Sequence, residues 1–278
     1  MADARETIPA GVRSGAEMTY ETIEVRREGP VTTVSLNRPE VHNAFNARMI
    51  AEITDAFTQL RLRSRTRAVI LRGHGRSFSA GADVTWMRAS LEFSRQENLE
   101  DARRMSAMYA AIDALPAPVI ARVQGAALGG GMGLLAVCDI VIAARDCRFG
   151  FTETKLGIIP AVISPFVLPK LGESWARALF LTGERFGPEL ARQIGLVHWI
   201  AEPEELDALV AEKVEELLSS GPEAVRAAKE LIWGVLSREA GARREYTAQR
   251  IAEIRTSPGG QEGLRAFLEK RKPAWREE

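Results

Sequence analysis

The chain has 278 residues, of which 46% are hydrophobic and 27% charged, and its 37 lysines and arginines balance 37 aspartates and glutamates. That composition supports a sizeable core in one large domain or a main domain with an appendage, and argues against nucleic acid or an anionic membrane as partner. Two cysteines (Cys138, Cys147), three scattered histidines without an HExxH pattern, and no apolar run of membrane-spanning length argue against disulfide, zinc and transmembrane architectures and suit a reducing cytosol.

Residues 1–17 are small, polar and aperiodic, without the apolar centre of a signal peptide, and are expected to form a mobile tail. Met18 opens a patterned segment. Residues 20–28 and 31–37 alternate around Gly29-Pro30, which predicts a hairpin. Asn43 to Asn46 can cap a helix whose apolar positions are Met49, Ile50, Ile53, Phe57 and Leu60. A short buried strand at 68–71 and a glycine-rich loop at 73–83 follow, giving the order of an α/β fold. Residues 99–114 read as a helix with Met105, Met108, Tyr109 and Ile112 on its core face, stopped by Pro116 and Pro118. Strands are expected at 119–123, 139–144 and 148–151, helices at 164–171, 173–182 and 187–193, and a strand near 197–200. Beyond Pro203 the pattern becomes amphipathic helices at 204–219, 222–236, 240–255 and 260–270. The expected organisation is a tail over 1–17, a core over 18–203 carrying the site, and a helical region over 204–278 packing against another subunit.

The chain turns on Gln124–Ala144, which places Gly125, Gly129, Gly130, Gly131 and Gly133 ahead of an apolar run. Such a cluster implies backbone angles that a Cβ forbids, close approach to the main chain, or tight helix–sheet packing with no ligand. A helix starting within Gly130–Leu135 would present unpaired N–H groups at its positive end, suited to an anion or an oxygen becoming one. The loop at 79–82 also follows a strand, so two loops could present amides to one point. Gly131-Met-Gly133-Leu-Leu-Ala136 also satisfies the GxGxx[GA] pattern of dinucleotide sites, with Glu153 about twenty residues on. Two βα units precede it, however, and six residues of pattern are weakly specific. A Walker phosphate loop and a GxSxG elbow are absent. The paired acids Glu204-Glu205 and Glu215-Glu216 read as solvated surface.

Five stretches in consistent order, LNRPEVHNAFN (36–46), FSAGADV (78–84), VQGAALGGGMGLLAVCDIVIAA (123–144), FGFTETKLGIIPA (149–161) and AFLEKRKPAW (266–275), resemble the crotonase, or enoyl-CoA hydratase/isomerase, superfamily. The resemblance spans roughly residues 20–275. It implies an α/β fold, a spiral of ββα units followed by a helical trimerisation region, acting on acyl-CoA thioesters as a homotrimer or dimer of trimers. No metal or redox cofactor is implied, since CoA enters with the substrate. The family's oxyanion hole of two backbone N–H groups maps onto Ala82 and Gly130. Val41, His42, Ala44, Ala80 and Asp83 map to the CoA channel, and Phe267 and Lys270 to the adenine end of a CoA held by a neighbouring subunit.

Typical hydratases of this family carry two glutamates. The first maps onto Gly133 and is missing, whereas the second maps onto Glu153. One carboxylate can shuttle a proton between Cα and Cγ, as the family's isomerases do, or activate water and then protonate Cα. ADVTWMR (82–88), GGGMG and IIPAVISPFV (158–167) further resemble the bacterial branch hydrating methylglutaconyl-CoA and isohexenylglutaconyl-CoA. There Trp86 and Phe166 would shape the acyl pocket, with Arg88 the nearest cation for a second carboxylate. The expectation is an enoyl-CoA hydratase, with the isomerase and a noncatalytic acyl-CoA-binding protein on the same scaffold as alternatives.

Overall fold

The computed structural model describes residues 19–62 and 65–276, so the tail expected over 1–17 lies outside the described residues. β1 (Ile23–Glu28) and β2 (Val31–Leu36) form an antiparallel hairpin around Gly29-Pro30. β3 (Ala68–Gly73), β4 (Val119–Val123), β6 (Ile140–Ala144) and β9 (Trp199–Ala201) extend it in parallel to a six-stranded sheet in the order β1-β2-β3-β4-β6-β9. Their near-continuous apolar sequences suit strands covered on both faces. β5 (Ala126–Leu128), β7 (Arg148–Gly150) and β8 (Arg185–Phe186) make a second, three-stranded sheet.

The chain alternates between the two sheets and then enters a helix. β4 leads to β5 and α4 (Gly130–Val137), and β6 leads to β7 and then to α5 (Ser164–Thr182), which breaks at non-helical Gly172. The isolated pairings Ser79–Ala127 and Phe45–Ala82 carry the same plan into the earlier turns. The result is the expected spiral of ββα units.

α1 (Ala47–Leu62) buries Met49, Ile50, Ile53, Ala56 and Phe57 and packs on α3 (Arg95–Asp113), which buries Met108, Tyr109 and Ile112. α4 is buried from Gly131 to Val137, as its all-apolar sequence requires. α3 begins four residues before the expected start, because Ser94 and Glu97 form a reciprocal capping box. The short α2 (Val84–Ser90), capped by Asp83, and the short β5 and β8 have no counterpart in the expected elements. They are too brief for periodicity to register.

After α6 (Pro188–Gln193) and β9 come α7 (Leu206–Ser219), α8 (Pro222–Leu236), α9 (Ala240–Thr256) and α10 (Pro258–Leu268). α7 lies on the large sheet with Leu206, Val210 and Val214 in the core, and Arg122 grips its Asp207 at 2.6 and 3.1 Å. α8, α9 and α10 pack on one another. Truncating the fully buried Phe57 to alanine is expected to destabilise the fold by about 3–5 kcal/mol, measured by urea unfolding.

Candidate active site

The glycine-rich stretch runs through β5 into α4, and two segments lie along it. On one side Phe78 N–H donates to the Gln124 carbonyl (2.9 Å), Ser79 N–H to that of Ala126 (3.0 Å), and Leu128 N–H back to that of Ser79 (3.0 Å). On the other, Arg148 N–H donates to the Gly125 carbonyl and Gly129 N–H to that of Gly150, both at 2.9 Å. The loop after Ser79 therefore arrives beside the start of α4. Gly81 turns there with φ 88°, and a Cβ on it would stand 2.8 Å from the Leu128 oxygen and 3.5 Å from the Gly130 nitrogen.

Ala82 follows Gly81. Phe45 N–H donates to the Gly81 carbonyl (2.7 Å) and Asp83 N–H to that of Phe45 (2.9 Å), so Ala82 is flanked by bonds in which its own amide takes no part. Gly130 is the first residue of α4, where an N–H has no partner inside the helix. Among the hydrogen bonds of the described residues neither amide has a protein acceptor, and both residues are partly exposed. The two adjoining loops thus carry two unengaged donors, one at the positive end of a helix.

Arg38 and Asn43 brace the first loop. Arg38 donates to the Ala44 carbonyl (2.6 Å) and to Asp83 Oδ2 (2.7 Å), while Asp83 Oδ1 accepts from Thr85 N–H (2.7 Å). Arg38 thereby helps hold the Asp83 carboxyl below its usual range, against the opposing effect of burial. Asn43 is fully buried and left-handed (φ 54°); it accepts from Arg38 N–H (2.9 Å) and donates to the His74 and Ser77 carbonyls, both at 2.8 Å. Exposed His42, also left-handed, accepts Ala80 N–H on its carbonyl (2.9 Å) and has its Nδ1 3.0 Å from Ser77 Oγ.

Glu153 enters from the other side, on a short 3-10 helix spanning Thr152–Leu156. A Cβ on Gly129 would stand 3.5 Å from its Oε1, which puts the carboxylate next to the glycines that open α4. Its Oε2 is buried without a hydrogen-bond partner. Burial pushes the Glu153 carboxyl up, offset in part by its own N–H. A buried, half-satisfied carboxylate of raised pKa beside two unengaged amides has the makings of a general acid/base beside an oxyanion hole.

Gly133 is packed shut. A Cβ there would fall 2.5 Å from Ile163 Cγ2 and 2.7 and 2.8 Å from Tyr109 Cζ and Cε1. Tyr109 is fully buried, donates its O–H to the Gly130 carbonyl (2.7 Å), and has its ring centroid 5.9 Å from that of Phe166. Burial, with the Glu153 charge adding, pushes its phenol well above the ordinary range. The GxGxx[GA] pattern falls inside α4, with Gly131, Gly133 and Ala136 all buried, and not in a strand-to-helix turn. At the far end of α4 Lys170 donates to the Cys138 carbonyl at 2.6 Å.

Of the remaining candidates, Ala44 is buried, Val41 and Ala80 are partly exposed on the same braced loops, and Trp86 lies half-buried on α2 against the core. Arg88 is exposed in the last turn of α2. Phe267 (80% exposed) and Lys270 lie at the end of α10, which packs on α8 and α9. Sequence patterns do not single out Arg38, Asn43 or Ser79 as part of the site, and they place Tyr109 in the core. RPEVHN, with two polar residues around a proline turn, was the signal available for Arg38 and Asn43. Tyr109 has none, since a tyrosine on a helix's apolar face usually packs.

A ββα spiral that brings two unengaged amides to a buried carboxylate is the crotonase architecture. The enoyl-CoA hydratase/isomerase family model matches residues 26–278. A crotonyl-CoA hydratase of Syntrophomonas wolfei is 35% identical, with 92% of this chain and 98% of that protein covered. A short-chain-enoyl-CoA hydratase of Clostridium acetobutylicum is 32% identical, over 92% and 97%. The crystal structure of an enoyl-CoA hydratase from Shewanella pealeana superimposes with a TM-score of 0.89 at 36% identity, covering 93% of this chain and 97% of that one. The chain belongs to the enoyl-CoA hydratase/isomerase family, within the crotonase superfamily.

Replacing Asn43 with alanine orphans three bonded groups and leaves a β-carbon residue in a left-handed turn, with an expected loss of about 3 kcal/mol in urea unfolding. Glu153→Gln is expected to act oppositely. A folded-state pKa above the unfolded value contributes stability at low pH that is lost as pH rises through the folded value. The variant should therefore melt higher than the parent near neutral pH and at the same temperature in acid, read by thermal scans across pH.

Proposed function

We propose that this protein hydrates the 2,3 double bond of an acyl-CoA thioester through an enolate held by the Ala82 and Gly130 amides. The observation that carries this is the buried Glu153 oxygen without a partner beside the two unengaged N–H groups. Glu153 takes a proton from water as its oxygen bonds to Cβ, and the electron pair of the double bond moves through Cα onto the thioester oxygen. The protonated Glu153 then returns a proton to Cα as the enolate collapses. Charge develops on the thioester oxygen, where fixed donors lower the barrier most.

Isomerisation of a 3-enoyl thioester is the second reading, favoured by the closed packing around Gly133, which leaves one carboxylate at the site. Glu153 would then remove a proton from Cα and return it to Cγ. The sequence likeness to the glutaconyl branch supports a branched substrate, with Trp86 and Phe166 shaping the acyl end. Val41, His42, Ala44 and Ala80 line the CoA path in this reading, while Asp83 serves by fixing the loop with Arg38. No metal or redox group takes part, and the protein works in the cytosol.

Assembly as a trimer or a dimer of trimers completes the reading. Ile232, Trp233 and Leu236 on α8 and Leu264, Phe267 and Leu268 on α10 are exposed apolar side chains, as are Leu156, Ile158 and Ile159 after Glu153. Surfaces of this kind are characteristic of subunit contacts. Through such a contact Phe267 and Lys270 would reach the CoA of a neighbour.

The test is turnover of crotonyl-CoA, 3-methylglutaconyl-CoA and a 3-enoyl-CoA in heavy-oxygen water, followed by mass spectrometry. Label in a 3-hydroxyacyl product, reduced roughly 10²–10⁴-fold in Glu153→Gln, is the expected result. A moved double bond without label would establish the isomerase. Binding without turnover on all three would favour the noncatalytic role. The raised carboxyl of Glu153 should set an acid limb in kcat/KM above the ordinary glutamate range, measured from pH profiles.

A further inference from the structure

Three consecutive glycines, Gly129, Gly130 and Gly131, open α4. They leave room for a ligand at the main chain but supply no stiffness of their own, because glycine restricts its backbone least. Yet an oxyanion donor works by being fixed before the charge appears. Something outside the three glycines must hold them.

Of the three buried residues of α3, Met108, Tyr109 and Ile112, the tyrosine alone carries a polar atom. Its O–H reaches the carbonyl of Gly130 itself, at 2.7 Å, and a Cβ on Gly130 would stand 3.1 Å from the phenol oxygen. Its ring fills the space beside Gly133, one turn further along the same helix. The phenol cannot swing away, since it is wholly enclosed and flanked by Phe166.

We infer that Tyr109 is a positioning residue: its O–H on the Gly130 carbonyl anchors Gly130 against α3, limits the movement of the peptide before it and so helps pre-organise the oxyanion hole. The inference rests on the acyl-CoA reading above. Donation to the Gly130 carbonyl restrains the residue whose N–H meets the thioester oxygen. It also polarises the Gly130–Gly131 peptide, whose own N–H belongs to the first turn of α4. The same ring lies 2.7 and 2.8 Å from where a Cβ on Gly133 would stand, so the side chain that braces the hole also helps close position 133.

Tyr109→Phe removes the O–H and keeps the ring. The expected result is a roughly tenfold fall in kcat with KM changed less than about threefold, short of the about 10²–10³-fold loss for deleting a donor outright. A cinnamoyl-CoA thioester, whose absorption moves to the red as its carbonyl is polarised, should show a smaller shift on the variant. Free CoA should bind both proteins equally. Where Tyr109→Phe fails to fold, a fluorinated tyrosine placed at 109, a stronger donor of the same shape, should enlarge the shift over the parent.

Unchanged kcat and unchanged absorption in a folded Tyr109→Phe would overturn the inference, as would an unchanged shift with the fluorinated residue. Parallel losses of kcat, CoA affinity and melting temperature would also overturn it, marking Tyr109 as packing alone. If the parent protein neither turns over a thioester nor shifts the probe, the acyl-CoA reading itself falls. If the parent does both and the variant matches it, only the brace falls.

Discussion

Two backbone N–H groups without an acceptor among the described residues, at the margin of a packed core, are the constraint around which this molecule is arranged. Unpaired main-chain donors are rare because each forfeits a hydrogen bond that water or protein would otherwise supply. Here they are tolerated because almost every group nearby is satisfied. Phe78 and Ser79 on one side and Arg148 and Gly150 on the other bond to the glycine stretch, Phe45 takes the positions flanking Ala82, and Arg38 and Asn43 hold the loop between.

The carboxylate obeys the same logic with opposite sign. Burying Glu153 with one oxygen unbonded disfavours its charged form. That arrangement costs stability once the carboxyl ionises, the opposite of what a surface glutamate does. The cysteines differ: burial pushes the Cys138 and Cys147 thiols up to about 12, leaving them as packing groups.

The large elements were readable from pattern because each is long enough to show a period or to be bounded by a proline. β4 falls at the expected 119–123 and α8 at the expected 222–236, bracketed by Pro118 and Gly125 in one case and opened by Pro222 in the other. The two loops that adjoin at the start of α4 are rich in glycine, and that much is visible in the sequence. What stayed hidden was whatever depends on tertiary approach. Asn43 reads as a helix cap until its amide is found bridging two carbonyls thirty residues away, and Tyr109 as core until its hydroxyl meets Gly130. The expected helical tail shows a further limit: amphipathic period alone does not say that α7 turns its apolar face to the large sheet while α8 and α10 leave theirs open.

The crowding at Gly133 bears on how this chain can change over generations. Any side chain at that position brings its first carbon within 2.8 Å of three atoms from two different elements, α3 and the turn before α5. A glutamate there is thus unreachable by one substitution without disturbing the core, and needs Tyr109 and Ile163 to yield first. In this chain an acid at position 133 is therefore separated from glycine by a steric barrier and not by a single codon. A lineage that has filled this space with an aromatic ring can change position 133 only by concerted substitution with its neighbours.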